Sequence, residues 1–376
     1  MRAHHVLDLV WKNGWQPAEL DRVVRRSATS RATADLLRHL MAVDHVRRRP
    51  DTLHPRWHQQ IRALDLHETD GLRGWLAVLV SHDADIGLET VSELVTTLAR
   101  LSPLPRLIPP PGGGLADVDI QLGGDDGVSG AGGVDHDQHD PVLERVRALL
   151  AKAESTSFPA EAEAFTAKAH ELMTRHAIDS AVVEGRAVAA GWVTAVRIPV
   201  DEPYIDSKSL LLQIVAERNR CRAVFHARYA MSTVIGASRD LLAVELLFTS
   251  LLLQGQQALL AEGAGVQAGG RERSRGFRSS FLMAFAHRID ERLGAVSADV
   301  ADDITTASGV DVLPVLADRQ QVVDDEVDRL FGELGRSRRR SSVDAAGWAS
   351  GRQAADRARL GEPDLPATGS AGALAS

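Results

Sequence analysis

The sequence predicts a mainly α protein with a small antiparallel β-sheet (α+β) in its C-terminal module, the two modules being joined by a disordered linker. Three observations predict it. Apolar residues recur at helical spacing through most of residues 1–101 and 142–360. Alternating, β-branched runs are confined to residues 192–236. Residues 102–141 hold Pro103, Pro105, Pro109, Pro110 and Pro111, then a Gly- and Asp-rich run with too little apolar surface to offset the entropy of ordering. The expected division is therefore an N-terminal helical module (1–101), a linker (102–141), a helical hairpin (142–180), an α+β domain (190–360) and a disordered tail (361–376).

In the first module, Gly14 reads as a helix end and Pro17 as the start of the next helix. Leu20, Val23 and Val24 continue its apolar face. Further helices are expected around 33–46, 55–64, 72–80 and 90–101. Two helices joined by a short turn also fit a DNA-reading helix-turn-helix, but plain helical hairpins are far commoner.

Residues 142–178 form the clearest unit. Val142, Val146, Leu149 and Leu150 share one helical face. A break follows at 154–159, with Ser157 as N-cap and Pro159 in the first turn. Phe165, Ala169, Leu172 and Met173 then recur at i, i+4, i+7 and i+8. Beyond it come a strand at 192–200, a helix at 210–218, and two strands at 221–228 and 231–235 joined through Tyr229-Ala230. A long helix runs from Ser238 or Asp240 to about residue 262, a Gly-rich loop covers 263–270, and three helices occupy 277–293, 313–334 and 343–359.

Composition narrows the function. With 376 residues, the chain has room for two or three domains. Apolar residues at 44% and charged residues at 25% are ordinary for a globular protein, which excludes wholesale disorder or a fibre. Most of the net charge of −8 comes from residues 111–140, which hold seven Asp and no Lys, Arg or Glu. The protein is therefore neither a globally basic nucleic-acid binder nor strongly acidic elsewhere. Cys221 is the one cysteine, so an intrachain disulfide and a multi-Cys metal site are excluded. The most apolar stretch, 241–253, is shorter than the ~20 residues a bilayer crossing needs and carries Glu245. No membrane partner and a cytoplasmic location are expected.

Familiar catalytic patterns are missing. His170 and His176 are six apart, about 120° from sharing a helical face, so His170-Glu171 is not the start of a zinc motif. His54 and His58 are separated by Pro55. His136 and His139 lie among aspartates of the linker, a solvated acidic spacer. Cys221, flanked by Arg220 and Arg222, reads as core packing. The sequence lacks a phosphate loop, a dinucleotide fingerprint and a nucleophile elbow. Glu245, inside an apolar helix, is expected to be buried against an Arg. No catalytic, cofactor or metal residue is assigned, and the chain leans away from being an enzyme.

Basic clusters remain. Arg275 and Arg278, after Arg271 and Arg273, open the Phe277 helix. Arg338, Arg339 and Arg340 precede the last helix. If both face one side they form a local surface for phosphate; otherwise they pair with the acidic run 324–328.

The hairpin is also familiar as a motif. Leu149-Leu150, Lys152-Ala153-Glu154, Thr156, Glu161-Ala162-Glu163-Ala164-Phe165, Lys168-Ala169, Leu172-Met173 and His176 resemble the bacterial and phage family known as domain of unknown function 2786. Residues 200–360 resemble the uncharacterised companion domain that often follows it, in Asn219–Val224, Gly236, Asp240, Glu245, Ser280-Phe281, Arg288 and 347–352, with an actinobacterial type of N-terminal region. The resemblance implies fold and lineage, and carries over no catalytic residue. The function expected is a non-enzymatic binding protein with nucleic-acid contact through the C-terminal arginines. The rivals are a protein–protein adaptor using the hairpin and an enzyme with a site near Glu245.

Overall fold

The computed structural model describes residues 3–66, 84–120, 141–155, 159–184, 193–264, 274–308, 313–332 and 343–357. The first module contains α1 (Ala3–Lys12), α2 (Pro17–Ser27), α3 (Arg31–Val46), α4 (Pro55–Ala63) and α5 (Ala84–Ala99). Its core gathers Trp11, Trp15, Leu20, Val24, Leu37, Met41, Trp57 and Leu94. The expected break at Gly14 is present with φ +84°. A Cβ there would overlap the Leu104 carbonyl oxygen, so glycine is required both for the left-handed turn and for this close approach. The helix expected at 72–80 lies outside the described residues.

The hairpin is α6 (Pro141–Ser155) and α7 (Pro159–Glu184), as expected; the Ser157 cap lies outside the described residues. It is followed by β1 (Val193–Pro199), α8 (Ile205–Arg218), β2 (Arg222–His226) and β3 (Met231–Ala237). The sheet is antiparallel with β3 in the middle, in the order β1-β3-β2. Then come α9 (Ser238–Ala264), α10 (Arg275–Ser308), α11 (Leu313–Phe331) and α12 (Ala345–Arg357). The fold is mostly helical with a three-stranded antiparallel sheet, the class the sequence predicts.

Strand alternation sorts the sheet's two faces. Ile198 and Val234 join Leu212, Val244, Phe281 and Phe285 in the main core, together with Val146, Leu150, Ala169 and Met173 of the hairpin. Val193, Ala195 and Ile235 face the other way, under Val323 and Val327 of α11. The hairpin's apolar face is thus spent inside the C-terminal core.

One boundary needs correcting. Within residues 102–120 of the expected disordered linker, Leu104, Leu107, Ile108 and Ile120 are packed. Leu107 and Ile120 complete the layer under α11, and Leu104 and Ile108 enter the first module's core. Four apolar side chains close together in sequence supply the burial that the proline count obscures. Residues 121–140 lie outside the described residues.

The two modules also share a core. Tyr229 and Met231, at the β2–β3 turn, are buried among the N-terminal helices. Trp15 meets Tyr229 edge to face at 4.8 Å, and the Tyr229 hydroxyl accepts the Ser102 N–H at 2.7 Å. Arg197, on the outer face of β1, reaches Glu19 at 2.8 Å. It also donates to the carbonyls of Gly14 at 3.0 Å and of Pro105.

Candidate functional site

Two of the arginines expected to contact phosphate, Arg275 and Arg278, lie at the start of α10. Ser274 caps this helix, its Oγ accepting the Phe277 N–H at 3.0 Å. Arg275, in the first turn, is exposed, and Arg278 is half-buried. Both cations sit at the positive end of the helix dipole, where an acidic residue is the favourable choice.

α12 brings a second helix start to the same end. Asp344 accepts the Gly347 N–H at 2.8 Å, and its own N–H donates to Ser280 Oγ at 2.9 Å. The two helices run parallel: Gly347 lies on Phe277, Gly351 on Phe281, and Arg292 donates to the Ala355 carbonyl. A Cβ on either glycine would overlap a carbonyl oxygen of α10. The N-termini of α10 and α12 are therefore side by side. Arg338, Arg339 and Arg340 lie outside the described residues; Asp344 follows Arg340 by four positions.

Three residues of the acidic run proposed as the arginines' alternative partner have partners among the described residues. Asp324 pairs with Arg222 at 2.5 Å, Glu326 with Arg329 at 2.7 Å, and Asp325 accepts from Gln321 at 2.7 Å. No ion pair of Arg275 or Arg278 occurs among the described residues.

Glu245 departs from expectation. It is exposed, not buried. Glu245 falls on the one side of α9 that neither the sheet nor α10 covers, which an apolar run alone does not reveal. Its expected arginine neighbour exists: Arg56 of α4 feels its charge and donates to the Ala195 carbonyl at 3.2 Å. Both line a cavity of about 260 Å³ between the modules, with Gln16, Gln60, Glu19 and Arg197. Gln60 donates to Gln16 at 2.5 Å and accepts the Ala18 N–H at 3.1 Å. Hydrogen bonds among its own walls make this cavity part of the joint between modules.

A second cavity, of about 210 Å³, lies where the hairpin meets the start of α9. His176 of α7, Arg239 and Asp240 of α9 and Arg319 of α11 line it. Arg239 donates to His176 Nε2 at 3.3 Å. Sequence reasoning missed Arg239 and Arg319. They are 80 positions apart, and only the strand-to-helix junction at Ala237–Ser238 hinted at a helix start open to a ligand.

The remaining candidates resolve plainly. His54 caps α4, its ring accepting the Arg56 N–H at 3.2 Å, so His54 and His58 do not form a helical i, i+4 pair. His170 is fully buried and meets Ser297 Oγ at 3.2 Å. Cys221 is buried, and burial pushes its thiol pKa well up, away from a reactive thiolate. His226, five residues on, lies on the face of β2 away from Cys221 and meets Thr233 and Phe331. Among the described residues, no group of three His, Cys, Asp or Glu is placed to hold a metal. His136 and His139 lie outside them. No described helix is long and apolar enough to cross a membrane.

No curated protein and no solved structure matches the chain. The match that does exist stops short of the arginine surface and of the suggested companion domain. Residues 142–180, which make up α6 and most of α7, match the model of the family described as protein of unknown function (DUF2786).

Proposed function

We propose that the protein is a non-enzymatic binding protein that contacts nucleic-acid phosphate through Arg275, Arg278, Arg338, Arg339 and Arg340. The supporting observation is the hydrogen bond from Asp344 to Ser280, which seats the start of α12 beside the start of α10. Two positive dipole ends then share one end of the molecule with two arginines. Arg is suited to phosphate by its planar, bidentate fork. The arginines stand against the dipole of α10, a placement that makes poor sense for helix stability and good sense for an anion.

Phosphate contact requires affinity to fall with salt, with a slope near −0.9 per neutralised phosphate on duplex DNA. A gel shift across a salt series on the full chain tests this. Arg338→Ala, Arg339→Ala and Arg340→Ala combined should flatten the slope by about two to three contacts. Absent binding, or a slope unmoved by the triple variant, overturns the reading. The adaptor alternative is less favoured, because the hairpin's apolar face is already covered within the core.

A further inference from the structure

The joint between the modules contains a cavity of about 260 Å³ in which some polar groups are paired and others are not. Glu19 answers Arg197 at 2.8 Å, and Gln16 answers Gln60 at 2.5 Å. Arg56 and Glu245 remain, on opposite elements, α4 and α9. Neither is in an ion pair among the described residues, with the other or with any third group. Arg56 is half-buried. One of its N–H groups is taken by the Ala195 carbonyl at 3.2 Å, and its guanidinium makes no other hydrogen bond among the described residues. Burial pulls its pKa below the usual range while the charge of Glu245 pushes it back up, so the two charges feel each other across the gap. Gln59, one turn along α4 from Arg56, also lines the cavity, and its amide makes no hydrogen bond among the described residues. Val196, Leu241 and Leu242 supply an apolar wall.

A simple anion at Arg56 is repelled by Glu245, and a simple cation at Glu245 is repelled by Arg56. A molecule that carries both charges close together satisfies each. We propose that this cavity binds a free α-amino acid with an aliphatic side chain. Arg56 takes the carboxylate, which its fork matches. Glu245 takes the ammonium, the Gln59 amide offers a further donor and acceptor, and the side chain lies on the apolar wall. The cavity is just smaller than the range of about 300–1,000 Å³ usual for drug-sized ligands, which suits an amino acid. None of its lining residues comes from α10 or α12, so it is distinct from the arginines proposed to contact nucleic acid.

Isothermal titration of the full chain tests the proposal with four probes: L-leucine, isocaproate (the same skeleton without the ammonium), isoamylamine (without the carboxylate) and glycine. Leucine should bind saturably, and tighter than each of the other three, because it alone uses both charges and the apolar wall. Glu245→Gln is close to isosteric at an exposed position, so the fold should tolerate it. It should weaken leucine by about tenfold, the loss expected for one charge-assisted hydrogen bond, and should not weaken isocaproate, which has no ammonium to lose. Arg56→Lys keeps the charge without the fork and should weaken leucine and isocaproate alike. The Arg338→Ala, Arg339→Ala, Arg340→Ala variant should bind leucine as the parent does, which keeps this test apart from that of the nucleic-acid reading. The proposal is overturned if the parent shows no saturable binding of leucine, or if isocaproate, isoamylamine or glycine binds as tightly. It is equally overturned if Glu245→Gln weakens leucine and isocaproate to the same extent or leaves leucine unchanged, if Arg56→Lys binds leucine as the parent does, or if the triple variant abolishes binding.

Discussion

Arg197 and Arg275 are the same side chain in opposite circumstances. Arg197 points from the outer face of β1 into the joint between modules, with its side chain 1% exposed. Glu19 and the Gly14 and Pro105 carbonyls take up its guanidinium. Arg275 stands in solvent at the start of α10, where the local dipole opposes it. The contrast shows that an arginine's role is set by what surrounds it. One is committed to structure, and the other stands exposed.

The sharpest way to break this comparison is to remove the buried member. Arg197→Ala leaves Glu19 desolvated without its partner, which costs about 3–5 kcal/mol. Urea melts should show that loss, and a double-mutant cycle with Glu19→Gln should show strong coupling between the two sites. A cost below about 1 kcal/mol would mean the joint is looser than its geometry and that the modules separate easily.

A second contrast lies within the histidines. Burial holds His170, between α7 and α10, at a pKa of about 4. Burial, aided by Arg197, holds His226 at about 4 as well. In the unfolded chain a histidine takes up its proton near pH 6.5. The unfolded state therefore binds more protons, and stability present above pH 6.5 is lost as pH falls toward 4. For His170 the loss by pH 4.5 is about 2–3 kcal/mol. Denaturation midpoints measured from pH 7 to 4.5 should fall, and His170→Gln should fall less steeply. Parallel slopes would show that His170 is not the residue responsible.

The seam that aligns the two helix starts gives a smaller effect. Gly347→Ala and Gly351→Ala each force a methyl onto an α10 carbonyl oxygen, at a cost of about 1–3 kcal/mol. If the seam positions the arginine surface, Gly351→Ala should also weaken nucleic-acid binding while every arginine remains. Intact binding in a destabilised variant would detach the surface from the seam.

Much of the architecture was legible in the sequence. The hairpin's apolar spacing at Val146, Leu150, Ala169 and Met173 states directly which faces meet, and these residues do share one core. The three strands follow β-branched runs. What was not legible depended on contacts between distant segments. Ile120 and Leu107 look like stray apolar residues in a linker until α11 covers them. Glu245 looked buried because its helix is apolar nearly all round, and only the packing shows which side stays open. The arginine clusters were visible as composition. The nearness of the starts of α10 and α12 rests on a hydrogen bond between residues 64 positions apart, which no local pattern encodes. Arg239 and Arg319 are 80 positions apart, and their shared cavity is not written in any local pattern.

The smallest effect on stability decides most about function. Arg275→Glu replaces a cation at the positive end of a helix dipole with an anion. Taken alone, that exchange should stabilise α10 by about 0.3–1 kcal/mol. The same substitution places a negative charge on the surface proposed to hold phosphate, so nucleic-acid affinity should fall and the salt slope should flatten by about one contact. Stability and binding then move in opposite directions. A residue kept for structure would move them together, down in both. Melting curves and salt-titrated gel shifts on this one variant therefore separate an arginine held for a ligand from one held for the fold.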